Sequence, residues 1–428
     1  MMKIKTIDAY QIIDSRGNPT VAATVTLENG ASGWAAVPSG ASTGSYEAVE
    51  LRDGASAYGG LGVSLAIKNV KEKIAPVLIG QVASEQAAID KLMIDLDGTP
   101  NKANLGANAI LAVSLAVARA AAAGLKQPLY KYLAQFNPRF QGTYKLPLPM
   151  LNILNGGKHA DWATDIQEYM ILPVGARNME EVMKMGTEIY QALKKTLKSK
   201  GYQITVGDEG GFAPAVKTNS EAFDLLSAAV KSAGYELGKE VVFGIDAAAT
   251  EFFHNGEYEL KKEGKILSAN ELVKFYQNLA SQYPLISFED ALAEDDWAGW
   301  QEFMTVFNNK TQVVGDDLYV TNVERLKKGI ATGASNSILI KLNQIGTLTE
   351  TITAINLALE HNFTAIISHR SGETEDSFIA DLAVALGAGQ IKTGAPARSE
   401  RTAKYNRLLA IAAELGEAGE LATFPFLR

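Results

Sequence analysis

Apolar and polar side chains alternate one by one along Ile4 to Ile13 and Val21 to Leu27, with Ser15-Arg16-Gly17-Asn18-Pro19 between the two stretches. A period of two predicts strands that bury one face, and the Gly-Asn-Pro punctuation predicts a tight turn joining them. The period lengthens to that of a helix over Ser64 to Ile79, Ser84 to Asp95 and Asn104 to Gly124, with Gly98-Thr99-Pro100 as a break. Strands followed by helices predict a first domain of α+β type.

The pattern changes near the segment Phe136 to Pro149. Strand-like runs then alternate with helical stretches over Glu180 to Lys200, Ser220 to Ala233, Ala269 to Gln282, Val323 to Lys328 and Leu348 to Asn362. Such alternation predicts crossover connections and a parallel sheet. Roughly 290 residues are available, more than the about 250 an eight-stranded barrel usually takes. An open doubly wound sheet is the alternative, although no GxGxxG follows a strand.

The apolar runs of this half each lead to a charged or ionisable residue. Val241 to Ile245 precedes Asp246, Leu285 to Phe288 precedes Glu289, Val313 to Gly315 precedes Asp316 and Ser337 to Ile340 precedes Lys341; further runs lead to His369 and Lys392. Parallel strands buried on both faces would gather these groups at one rim. The three carboxylates offer hard oxygen ligands, which select magnesium, calcium or manganese. Asp290, Glu294, Asp295, Asp296 and Asp317 read instead as solvated or helix-capping. A lysine set in an apolar run must find a carboxylate partner or lose its proton, so Lys341 is half of an ion pair or a general base. Lys392 reads the same way, or as an anion binder.

Composition narrows the chemistry. The 428 residues contain no cysteine, which excludes disulfides and thiolate metal sites, and the four histidines form no HExxH pair. A net charge of -8 argues against non-specific binding to nucleic acid or acidic membranes. Met1 to Ala9 has no continuous apolar core, so no signal peptide is expected. Ala109 to Leu125 is alanine-rich and reads as a buried helix, not a membrane span.

Other segments carry candidate chemistry. Glu209 lies in the glycine turn Val206 to Pro214 and could act as an acid if desolvated near a second carboxylate, for which Glu168 is the candidate. Ser368-His369-Arg370-Ser371-Gly372 joins imidazole, guanidinium and hydroxyl in a set suited to phosphate oxygens, or is simply a polar loop. Pro38 to Gly44 and Asn155 to Ala160 read as small-residue loops able to close over a site.

Ser15 to Val21, Ser39 to Gly44, Leu105 to Ala109, Gly207 to Pro214, Ser368 to Glu373 and Lys392 to Arg401 resemble, in order and over nearly the whole chain, the motifs of the enolase family in its bacterial form. The resemblance implies an α/β protein: an N-terminal α+β capping domain over 1–137, then an atypical TIM-like (β/α)8 barrel over 138–428. It implies a magnesium-dependent lyase that dehydrates 2-phosphoglycerate reversibly to phosphoenolpyruvate, with two Mg2+ per site. On that resemblance Asp246, Glu289 and Asp316 bind the first metal and Ser42 joins the second. Lys341 removes the α proton, Glu209 supported by Glu168 protonates the departing hydroxyl, Arg370 and Ser371 hold phosphate, Lys392 holds the carboxylate end, and Gln167, His159 and His369 line the site.

The family also implies a cytoplasmic homodimer or higher oligomer, with a surface-exposed or secreted fraction. The chain departs from the family at Ala22 and Ala410, where a Glu–Arg pair commonly crosses the dimer interface, and at Trp162, Ala163 and Ala291. A related epimerase or cycloisomerase would carry a Lys-x-Lys pair and lack the Arg370-Ser371 set. Plasminogen binding, known for some family members, lacks its usual C-terminal lysine here and rests only on Lys261, Lys262 and Lys265.

Overall fold

The computed structural model describes residues 2–41, 44–54, 56–160, 162–307 and 310–427. Ile4–Ile13 (β1) and Pro19–Leu27 (β2) pair antiparallel, and Ser32–Ala36 (β3) extends the sheet. Asp14 closes the expected turn. Its amide donates to the Asn18 carbonyl at 2.8 Å, and its Oδ1 accepts from the amides of Arg16 and Asn18, each at 2.9 Å.

Helix Ala107–Gly124 covers the sheet, and from Ala107 to Ala122 only Arg119 escapes full burial. By length and composition it could cross a membrane, but its apolar surface is taken up inside the protein. Close approach is possible because β3 carries Gly33. A Cβ there would lie 2.2 Å from the Ala116 carbonyl oxygen and 2.3 Å from the Ala120 nitrogen. Backbone cannot yield as a side chain does, so Gly33→Ala is expected to cost about 2–3 kcal/mol. Thermal or denaturant unfolding would show it, and an unchanged midpoint would refute the tight packing.

Ser64 to Ile79 is not one regular helix. It runs as Ser64–Asn69, a wider π turn over Val70–Ile74, and Ala75–Leu78.

The second half closes into an eight-stranded barrel, which excludes the open sheet. Its strands are Leu148–Asn155 (β4), Glu168–Leu172 (β5), Val242–Asp246 (β6), Leu285–Glu289 (β7), Gln312–Gly315 (β8), Ser337–Ile340 (β9), Thr364–Ser368 (β10) and Gly389–Lys392 (β11). The expectation of a purely parallel sheet fails at one strand: β5 runs antiparallel to both β4 and β6. Among the described residues between β4 and β5 the one helix is the single turn Gly157–Ala160, and a parallel return needs a longer crossover. Helices Met179–Ser199 and Asn219–Ser232 then follow in succession before β6.

The first domain sits against the barrel's carboxyl-end mouth. Ser39 and Gly372 exchange backbone hydrogen bonds of 2.7 and 2.8 Å, and the Ser15 amide donates to the Glu373 carbonyl at 2.8 Å. Arg119 grips Asp376 with both Nη atoms, at 2.7 and 2.6 Å, in the fork geometry that makes such pairs specific.

Candidate active site

Strand register sets the acidic floor of the mouth. Asp246 pairs with Glu289 on β7 and with Glu168 on β5, so three carboxylates stand on adjacent strands. Because β5 is reversed, Glu168 reaches this rim as the first residue of its strand. Lys392, the last residue of β11, extends its Nζ to within 2.8 Å of Glu289 Oε1 and 3.1 Å of both Asp246 Oδ2 and Glu168 Oε2. One buried ammonium does not offset three carboxylates. Burial, then Asp246, pushes the Glu289 carboxyl well above the usual range; burial, then Glu209, does the same to Glu168. Burial alone would lower Lys392, but Asp246 and its neighbours hold that proton firmly.

Lys341 follows β9, and its ammonium contacts Asp316 Oδ2. Lys341 therefore has a carboxylate partner. Burial opposes the charge, yet Asp316 outweighs it and raises the lysine above its ordinary value. Burial likewise opposes the Asp316 charge, and Lys341 outweighs it in turn. Gln344 Nε2 donates to Asp316 Oδ1 at 2.9 Å, and Thr321 Oγ1 accepts from the Lys341 amide at 2.9 Å, so both partners are fixed.

Glu209 is buried, with Asn152 Nδ2 donating to its Oε2 at 2.8 Å and His369 Nε2 lying 3.5 Å from its Oε1. His369 Nδ1 lies 2.6 Å from Arg401 Nη1. A guanidinium only donates, so Nδ1 accepts and Nε2 carries the hydrogen toward Glu209. Burial keeps this imidazole neutral, well below its ordinary range.

Arg370 directs Nη1 to Glu47 Oε2 at 3.0 Å and to Asn343 Oδ1 at 2.8 Å, and Nη2 to Glu47 Oε1 at 3.1 Å. Ser371 Oγ accepts from the Ala41 amide at 2.7 Å. Gln167, Glu168, Glu209, Asp246, Asp316, Lys341, His369, Arg370, Ser371 and Lys392 line one cavity. Glu289 lies behind Lys392, fully buried. Ser42 and the side chain of His159 lie outside the described residues; the His159 backbone belongs to the Gly157–Ala160 turn.

Glu294 and Asp290, expected to be solvated or helix-capping, are neither. Glu294 is buried and accepts from Ser45 Oγ at 2.6 Å. Asp290 is buried, and both its oxygens accept backbone amides, from Asp316 and Asp317 at 2.9 Å each. The chain doubles back after β7 and β8, which leaves those amides for a side chain to satisfy. Asp296 does cap Trp297–Phe307, accepting from the Gly299 amide at 3.0 Å.

Among the described residues, Asp290, Asp316 and Asp317 bring ligand oxygens within 4.8 Å of one another. Asp290, however, is committed to the turn. Asp246, Glu289 and Asp316 also offer hard carboxylate oxygens, and buried Glu289 Oε2 has no hydrogen-bond partner among the described residues. Burial, then the charge of neighbouring Asp316, pushes the Asp317 carboxyl up to about 8.

Sequence reasoning gave no role to Arg401, Glu47, Asn152 or Gln344. Fully buried Arg401 donates to the carbonyls of Arg370 and Ser371 at 2.6 Å and of Asp208 at 3.1 Å, joining the Glu209 turn to the 369–371 loop. A signal existed: Arg401 and Lys404 fall on the same stripe of helix Ser399–Leu415 as buried Tyr405, Leu408 and Ile411. Cations on an apolar stripe imply internal partners.

The family model for the N-terminal domain of enolase matches residues 4–133, and that for its C-terminal TIM barrel domain matches residues 143–427. With barrel and capping sheet arranged as above, the chain belongs to the enolase family and is a lyase of that superfamily.

Proposed function

We propose that the chain catalyses the reversible dehydration of 2-phosphoglycerate to phosphoenolpyruvate, the hydro-lyase step of glycolysis and gluconeogenesis, and that it requires magnesium. The reading is carried by one arrangement: Lys341 in contact with Asp316, beside the Lys392 cluster and the Arg370-Ser371 pair, in a single cavity. Lys341 removes the α proton. Glu209, held by Asn152 and influenced by nearby Glu168, protonates the leaving hydroxyl, so that water departs. Arg370 and Ser371 bind the phosphate, Lys392 meets the carboxylate end, and Gln167, His369 and His159 orient the substrate. Asp246, Glu289 and Asp316 would hold one Mg2+ and Ser42 would join a second, which when bound would supply electrostatic stabilisation of the charge that builds on the substrate carboxylate.

Lysine and carboxylate chemistry at one mouth is shared across the superfamily; the Arg370-Ser371 pair favours a phosphorylated substrate. Ultraviolet absorbance of phosphoenolpyruvate tests the proposal. Product is expected from 2-phosphoglycerate with magnesium and none with chelator, and no magnesium-dependent product would defeat it.

From the family resemblance we also propose the division at 137/138, a cytoplasmic location with a surface-exposed or secreted fraction, and a homodimer or larger assembly. Ala22 and Ala410 supply no charge for the interface ion pair, and one exposed pair contributes little to an interface.

A further inference from the structure

Residues 44–47 are tied to the barrel on two sides. On the outer side, Ser45 Oγ donates to Glu294 Oε1 at 2.6 Å and Tyr46 Oη donates to Asp295 Oδ2 at 3.1 Å. The Tyr46 ring lies under the Arg325 guanidinium, 3.8 Å from its centre. Arg325 is itself fixed by the carbonyls of Leu318 and Glu294, at 2.6 and 2.9 Å.

On the inner side, Glu47 meets Arg370 through both oxygens. Its Oε1 also accepts from the Gly44 amide at 3.1 Å and from Gln344 Nε2 at 3.3 Å, and that same Gln344 nitrogen donates to Asp316 Oδ1. A carboxylate merely occupying a phosphate position would need only the arginine. Glu47 has further partners that hold it where it is, and its side chain is 7% exposed.

We propose that Glu47 is a positioning residue: it orients Arg370 for an anionic phosphate group and, through Gln344, links that orientation to Asp316, while the Ser45–Tyr46 clasp seats it against the barrel. The proposal rests on the reading of Arg370 as phosphate-binding. Its chemistry is that of a fork whose planar donors must be aimed before ligand arrives.

The test compares wild type with Glu47→Ala, Glu47→Gln, Tyr46→Ala and Tyr46→Phe. KM and kcat are measured for 2-phosphoglycerate, and inorganic phosphate binding is measured by calorimetry with magnesium present. Glu47→Ala is expected to weaken phosphate binding and raise KM about tenfold to a hundredfold, the scale of a misaimed binding group. Glu47→Gln, which keeps one acceptor oxygen, should fall between it and wild type. Should Glu47→Ala fail to fold, half-exposed Tyr46 still reports: Tyr46→Ala should shift both readouts in the same direction, and Tyr46→Phe, which keeps the ring on Arg325 but loses the bond to Asp295, should fall between it and wild type.

Unchanged or tighter phosphate binding in Glu47→Ala would show a competitor rather than a positioner and overturn the proposal. A silent Tyr46→Ala would remove the clasp from it. If wild type binds phosphate but does not turn over 2-phosphoglycerate, the proposed reaction falls while the role of Glu47 is still measured. Wild type that binds no phosphate overturns the role itself.

Discussion

Replacing Lys341 by alanine is expected to abolish exchange of the α proton of 2-phosphoglycerate with solvent and to lower turnover by about 10³–10⁴-fold, the usual contribution of a positioned base. Lys341 follows β9 directly, is held at its amide by Thr321, and shares a cavity with Arg370, Lys392 and Glu209. Its partner Asp316 keeps the ammonium protonated in the structure. As a proposed metal ligand, Asp316 would share its charge, which would loosen its hold on that proton. Removal of the amine leaves Asp316 with Gln344 still donating to Oδ1, so the fold should persist with a lower unfolding midpoint. Exchange in deuterium oxide followed by NMR, with circular dichroism as the folding control, decides the matter. Retained exchange in a folded variant would remove Lys341 as the base.

Glu209→Gln is expected to divide the reaction. Exchange should continue while formation of phosphoenolpyruvate falls by about 10²–10⁴-fold, because the amide cannot deliver the proton the leaving hydroxyl needs. The substitution keeps shape, and its carbonyl oxygen can still accept from Asn152. His369 Nε2 faces the same carboxyl at 3.5 Å without a hydrogen bond to it. Measuring exchange and dehydration on one preparation gives the test. Equal loss of both would mean that Glu209 shapes the cavity for proton removal as well, against the division of labour proposed here.

The residues ending β6 to β11 were legible because a strand buried on both faces tolerates charge only where it stops. Asp246, Glu289, Asp316, Lys341, His369 and Lys392 all carried that mark; five line the cavity, and Glu289 is buried against Lys392. Glu47, Asn152 and Gln344 did not, because their importance lies in partners far along the chain: Glu47 acts on Arg370, Asn152 on Glu209. The direction of β5 was not legible either, since Glu-Tyr-Met-Ile-Leu, buried throughout, reads alike up or down a barrel. Helix Phe378–Leu386 escaped notice for a related reason. All nine of its residues are buried, so no polar face marks its period.

The reversal of β5 has a consequence for how this scaffold tolerates change. Both ends of the 156–167 connection open onto the catalytic face, whereas a crossover helix must span the barrel's full height before the next strand begins. Residues added beside exposed Lys158 would therefore lengthen the connection on that face, while buried Thr164 to Gln167 stay anchored. That segment is where access to the cavity could be widened, narrowed or given new selectivity while the eight staves stay in place.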